Sequence, residues 1–246
     1  MVEFTPIVVI VLMFAFWWSG FVRAGLGFGG AGLMYPLAFL VIDSVIFIVP
    51  IVGVHLLIFS GWTLVSGGYK KVDWRTVTRL LLIILPPTLV GVFGLLQMPD
   101  FILLMSVYVI LIIYSLTYIF NYESTPKPWL NVPILLIGGY VSGLSLSGAP
   151  LIAAVALQYL KKEQARESMY VLWFVLVTIK LATLIAYDVD MHWEHHLWLF
   201  PMAVLGTVMG TRMHQKIQAM QNEQFYRWMG IALLALSLTG LIRHFL

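Results

Sequence analysis

Three residues able to carry positive charge, Arg23, His55 and Lys180, fall inside otherwise apolar stretches of the 246-residue sequence, whereas every Asp and Glu falls in a loop or near a segment end. Charge in hydrocarbon is expensive and usually marks a substrate path. A set whose members are all cationic, or can become so, calls for an anion as its ligand. Lys180 is the best placed, centred in the apolar run from Val171 to Tyr187. Arg23 directly precedes a glycine-rich stretch and can reach a cavity there; its plainer role is snorkelling to an interface. For His55 the plainer role is a hydrogen-bonded packing histidine. Trp173 lies seven residues before Lys180, hence on the same helix face, where it either walls a cavity or simply packs.

Two glycine-rich breaks accompany these cations: Gly25-Leu26-Gly27-Phe28-Gly29-Gly30-Ala31-Gly32 and Gly143-Leu144-Ser145-Leu146-Ser147-Gly148-Ala149-Pro150. Unwound backbone at membrane depth is tolerated only where protein or a water-filled cavity satisfies its polar groups. The half-helix after each break starts with exposed N–H groups and the positive end of a dipole, which together receive anions. Candidate anion contacts are therefore Gly29, Gly30, Ala31 and Gly32 at the first break and Ser145, Ser147, Gly148 and Ala149 at the second. Pro150 suits a first helical turn. Ser142, Ser145, Ser147 and Gln158 can donate to an oxyanion, although each can instead bond a neighbouring helix carbonyl. The alternative for the glycines is close helix packing in lipid.

A third cluster, His192-Trp193-Glu194-His195-His196, lacks the i, i+4 pairing of a zinc-protease helix and sits in an expected outer loop. An ordinary interfacial loop is the better reading, and neither a metal nor a cofactor is expected.

These residues must be held by membrane helices. The chain is 61% hydrophobic and 10% charged, with a mean hydropathy of +0.95, against about 45–50% and about 25% in soluble domains. With no cysteine, disulfides and thiol chemistry are absent, and the +3 net charge forms no clustered basic face of the kind that nucleic acid needs. Apolar runs at 45–66, 80–97, 101–120, 168–187, 197–211 and 225–242 each approach the roughly 20 residues of a bilayer crossing. Regions 7–42 and 130–160 are broken midway, leaving half-segments expected at about 12 to 17 residues. The N-terminal stretch lacks a signal peptide's positive start and reads as a retained membrane segment.

The breaks are related. A shift of 118 carries Gly20, Gly25, Gly30, Ala31 and Leu33 onto Gly138, Gly143, Gly148, Ala149 and Leu151; a shift of 119 carries Trp74 and Gly91 onto Trp193 and Gly210; a shift of 124 carries Phe101 onto Phe225. The expected repeats are 1–121 and 122–246. Their loops differ in charge. The stretch Lys70-Lys71-Val72-Asp73-Trp74-Arg75 matches Asp188 to Glu194, which has no Lys or Arg; Asp43 matches Lys161, Lys162 and Arg166; Met98-Pro99-Asp100 matches Arg212, Lys216 and Arg227. Since inner loops gather Lys and Arg, the copies are expected to be inverted, with eleven of the fourteen basic residues inside and both termini outside. The expected fold is all-α and polytopic, 8–10 hydrophobic segments, each repeat a glycine-broken hairpin plus three transmembrane helices. A broken pair in inverted repeats points to a transporter's midplane site. A passive anion channel is the alternative on the same scaffold, a metal-dependent intramembrane enzyme a remoter one.

The motif Gly25 to Pro36, with Gly143 to Pro150 as its partner and Gly91 and Gly210 in the fourth segments, resembles the sulfite exporter TauE/SafE family, also called the 4-toluene sulfonate uptake permease family. The resemblance spans essentially the whole chain; Ser145 and Ser147 stand where the family commonly has glycine. It implies a secondary transporter of sulfite, organosulfonates such as sulfoacetate, or related anions, often exporting them. The expected setting is the bacterial inner membrane, with the lipid bilayer and a small anion as partners and a homodimer as one admissible assembly.

Overall fold

The computed structural model describes residues 4–26, 30–120, 127–220 and 223–245. Among them are ten α-helices and no strand: α1 (Pro6–Leu26), α2 (Gly30–Ala38), α3 (Val45–Val65), α4 (Trp74–Gln97), α5 (Asp100–Ile119), α6 (Asn131–Ser145), α7 (Ala149–Ala156), α8 (Lys162–Ala186), α9 (Trp193–Met220) and α10 (Glu223–Arg243). Five of these, α1, α3, α4, α5 and α8, contain stretches long and apolar enough to cross a bilayer. Helices α9 and α10, 28 and 21 residues long, carry the apolar runs 197–211 and 225–242.

The broken regions depart from the expected half-segments. α1 is 21 residues and α6 is 15, but α2 has only nine and α7 eight. At 1.5 Å per residue, α2 and α7 reach about 12 to 14 Å, less than half the hydrocarbon core. α2 stops early because the chain turns after Ala38 through Phe39 and Leu40, and Ser44 Oγ then accepts the Phe47 N–H to start α3. α4 begins on Asp73, whose carboxylate accepts the Thr76 N–H at 3.1 Å and the Thr76 hydroxyl at 2.9 Å. Those two bonds hold the Asp73 carboxyl below the usual carboxylate range.

The chain packs as two compact units that do not follow the halves of the sequence. One comprises Met1–Ile48, Pro99–Glu123 and Trp193–Leu246; the other comprises Val49–Met98 and Ser124–His192. In the first unit α1 packs on α9 and α2, and α5 on α10; in the second α6 packs on α4 and α7, and α4 on α8. The 118- and 119-residue shifts turn the α1–α9 pair into the α6–α4 pair, so equivalent elements meet equivalent elements.

Glycines make that pairing close. A Cβ on Gly91 of α4 would sit 3.0 Å from Gly143 Cα and would strike the Tyr140 carbonyl; a Cβ on Gly210 of α9 would sit 3.1 Å from Gly25 N and would strike the Phe21 carbonyl. Without a hydrophobic drive between helices in lipid, association relies on such backbone approach. Thr88, bonded to Ile84 O of its own helix at 2.8 Å, reinforces the second unit's pair by also donating to Gly139 O of α6 at 3.1 Å.

The loops of the two units hold different polar groups. One end of the first unit joins Phe4 to His195, ring centres 4.4 Å apart, and to Phe47, while Ser44 donates to Asp100 and Asp43 pairs with Arg243 at 3.2 Å. In the second unit the loop carrying Lys70 and Lys71 meets the start of α8: the Asp73 N–H donates to Ser168 Oγ at 3.1 Å, and Gly68 packs near Glu167.

Candidate functional site

The α6–α7 turn is where the second unit's candidate residues converge. α6 ends on Leu146, which takes a left-handed conformation (φ 61°, ψ 10°) and donates its N–H to Ser142 O at 3.0 Å. Glycine usually fills such a capping position, because a β-carbon there costs roughly 1–2 kcal/mol. Gly148 then caps α7, with Pro150 in its first turn. In a continuous helix Gly138 and Gly148 would lie about 15 Å apart. Here a Cβ on Gly148 would strike both the Gly138 carbonyl and Ser142 Oγ. The chain therefore doubles back on itself, and only glycine fits the crossing.

Lys180 reaches this turn from α8. It is fully buried, and its ammonium donates to Ser142 O at 3.3 Å and, more closely, to Gly143 O. Both carbonyls belong to the last turn of α6, at the negative end of its dipole, and Ser142 O accepts from the Leu146 N–H as well. Ser145 and Ser147, fully buried, share a hydrogen bond of 2.6 Å between their hydroxyls, and Ser145 also reaches Val141 O at 3.4 Å. Ser145, Ser147, Gly148, Ala149 and Lys180 thus gather around one turn.

The first unit arranges its break with other side chains. α1 ends at Leu26 and α2 begins at Gly30; the candidate Gly29 lies outside the described residues. A Cβ on Gly30 would fall 2.8 Å from Ser19 O and 3.0 Å from Arg23 Cβ, so this chain also reverses. Ala31 and Gly32 follow in the first turn of α2, and Gly32 has open space where a side chain would stand. Arg23, in the last turn of α1 and 6% exposed, donates to Thr207 Oγ1 of α9 at 3.2 Å.

Two candidates sit away from the turns. Trp173 belongs to the second unit's apolar core with Ile152 and Ala153 of α7, a packing position. His55 is buried within α3, whose Gly53 touches Leu181 of α8. Among the described residues, no group of three or more His, Asp or Glu is placed to hold a metal; His195 of the histidine cluster packs against the rings of Phe4, Phe47 and Trp198 in tilted and edge-on contacts.

Sequence reasoning passed over His214. Its Nδ1 lies 2.7 Å from Gly25 O, and since a carbonyl only accepts, that nitrogen carries the hydrogen. The 118-residue shift carries Gly25 onto Gly143, so each break has its equivalent carbonyl held by a basic side chain, His214 in one unit and Lys180 in the other. Nothing local marked His214, which comes from α9 across 189 positions.

Apolar helices of spanning length, with two short helices folded back after glycine-rich turns, define a multi-pass α-helical membrane protein. The model of the sulfite exporter TauE/SafE family matches residues 12–240, and the chain belongs to that family of membrane transporters. No curated protein and no solved structure matches it.

Proposed function

We propose that the protein exports a small oxyanion, sulfite or an organosulfonate such as sulfoacetate, across the bacterial inner membrane by alternating access. One observation carries this reading beyond the family: a fully buried lysine amine, that of Lys180, stands at a turn where the backbone reverses. The helices of that unit supply no counter-charge near it. Of its acidic residues, Asp73, Asp188 and Asp190 flank helices, and Glu163 and Glu167 lie at least thirteen residues from Lys180 along α8, about 20 Å. The anion completes the charge balance.

Inverted copies and external termini remain part of the proposal. They are supported by the first unit's gathering of Phe4, Asp43, Asp100, His195 and Arg243 at one end, all in segments poor in Lys and Arg, and by the lysine-rich loop at one end of the second. The inside-negative potential favours outward movement of an anion, worth about 2.3 kcal/mol per charge per 100 mV, or roughly fifty-fold accumulation. Purified protein in liposomes loaded with labelled sulfite tests the reading: efflux should saturate with concentration and accelerate when the interior is made negative. Absence of efflux would overturn transport of this anion, and unsaturable flux would replace the carrier by a channel.

A further inference from the structure

We infer that the α6–α7 turn alone forms the oxyanion site, with the Ser142 hydroxyl as a direct donor, so that each chain holds one anion rather than one at each break. The inference rests on the reading of the protein as an oxyanion transporter and assigns its site to one of two related turns.

Ser142 carries the argument. It is 4% exposed, and its hydroxyl, pressed against Gly148 at the start of α7, has no hydrogen-bond partner. A buried hydroxyl left unbonded is costly. Most serines and threonines in these helices escape that cost by bonding a carbonyl one turn back, as Thr88, Thr178 and Thr183 do. Ser142 instead stands where the first N–H groups of α7 emerge. In an eight-residue helix opening Ala149-Pro150-Leu151, the N–H groups of Ala149 and Leu151 have no intrahelical partner and Pro150 has none to offer. The Lys180 ammonium, bonded to Ser142 O and Gly143 O, has three hydrogens for those two acceptors. Hydroxyl, backbone amides and lysine amine thus all belong to this one turn. That arrangement suits an anion with three oxygens on one centre, as in sulfite or a sulfonate, better than a planar carboxylate.

Among the described residues, the positions matched to Ser142 and Lys180 offer neither a hydroxyl nor a lysine amine. The 118-residue shift places Ala24 opposite Ser142 and Trp62 opposite Lys180. The carbonyl of Gly25 is taken by His214, and the Arg23 guanidinium is directed at Thr207 on α9.

The test is titration of the purified full-length chain with methanesulfonate, read by calorimetry, for the parent, Ser142→Ala and Ser142→Thr. The parent should bind one anion per chain. Ser142→Ala should bind about tenfold or more weakly, with a thermal midpoint in the absence of anion at or above that of the parent, and Ser142→Thr should restore most of the affinity. A second equivalent of anion, parental affinity in Ser142→Ala, or no binding to the parent would each overturn the assignment. Liposome efflux separates the two failures: a Ser142→Ala variant that binds and exports sulfite like the parent sinks this site and leaves export standing, whereas a parent without efflux sinks both.

Discussion

The α1–α2 and α6–α7 hairpins share a plan and differ in what they offer a ligand. Both place a glycine against the preceding helix, Gly30 on Ser19 and Gly148 on Gly138, and both have a basic group on the carbonyl of the matched residue, Gly25 or Gly143. At the second turn the basic group is a fully buried lysine beside an unbonded serine; at the first it is a half-buried histidine, with Arg23 directed at a threonine. The backbone contacts of the two hairpins are alike, while the side chains facing the turns differ. What each turn offers a ligand therefore depends on side chains that the shared backbone plan does not dictate.

The largest expected effects probe what the hairpins share. Gly143→Leu and Gly210→Leu each drive a side chain into an opposing backbone, and each should cost more than about 3 kcal/mol. Both should abolish the monodisperse folded species on size-exclusion chromatography in detergent; a tolerated leucine at either position would deny that the two interfaces are equivalent. Next comes the difference between the turns. Lys180→Met should reduce sulfite efflux about a hundredfold, as expected for loss of a charge-assisted contact of roughly 3 kcal/mol, whereas Arg23→Met should reduce it less than about tenfold. Equal losses would erase the contrast.

Smaller effects sharpen the picture. Thr88→Val removes the hydroxyl's hydrogen bond from α4 to Gly139 O of α6, along with its bond to Ile84 O in its own helix, and should lower stability by about 1 kcal/mol in thermal unfolding. Asp73→Ala should lower the thermal midpoint only slightly, and in a pH-dependent way. Because the Asp73 carboxyl is held below its ordinary value in the folded protein, its contribution is present above the unfolded value of about 4 and is lost as pH falls through the folded value. The parent and the variant should therefore converge in acid; a gap that widens there would contradict the capping role.

Much of this was legible in the sequence. Hydropathy located the long helices, Gly30 and Gly148 marked the reversals, and Lys180 stood out as a lysine in an apolar run. The length of α1 was not legible, because Arg23 and the glycines after Phe21 resemble an interruption although the helix continues to Leu26. The regrouping of helices across the two halves was hidden too: contacts such as Gly210 with Phe21 join residues nearly two hundred positions apart and leave no local periodicity. For the same reason Ser142 was one serine among several, until its position against Gly148 separated it from those that bond their own helix.

The central claim, that the α6–α7 turn lies on the anion's path, is tested most directly by a single thiol in this cysteine-free chain. Ser147→Cys in liposomes would be treated with a membrane-impermeant methanethiosulfonate, with and without methanesulfonate. The account predicts labelling that methanesulfonate slows in a concentration-dependent manner. Labelling at the same rate at every methanesulfonate concentration, or a thiol that never reacts from either side, would contradict it.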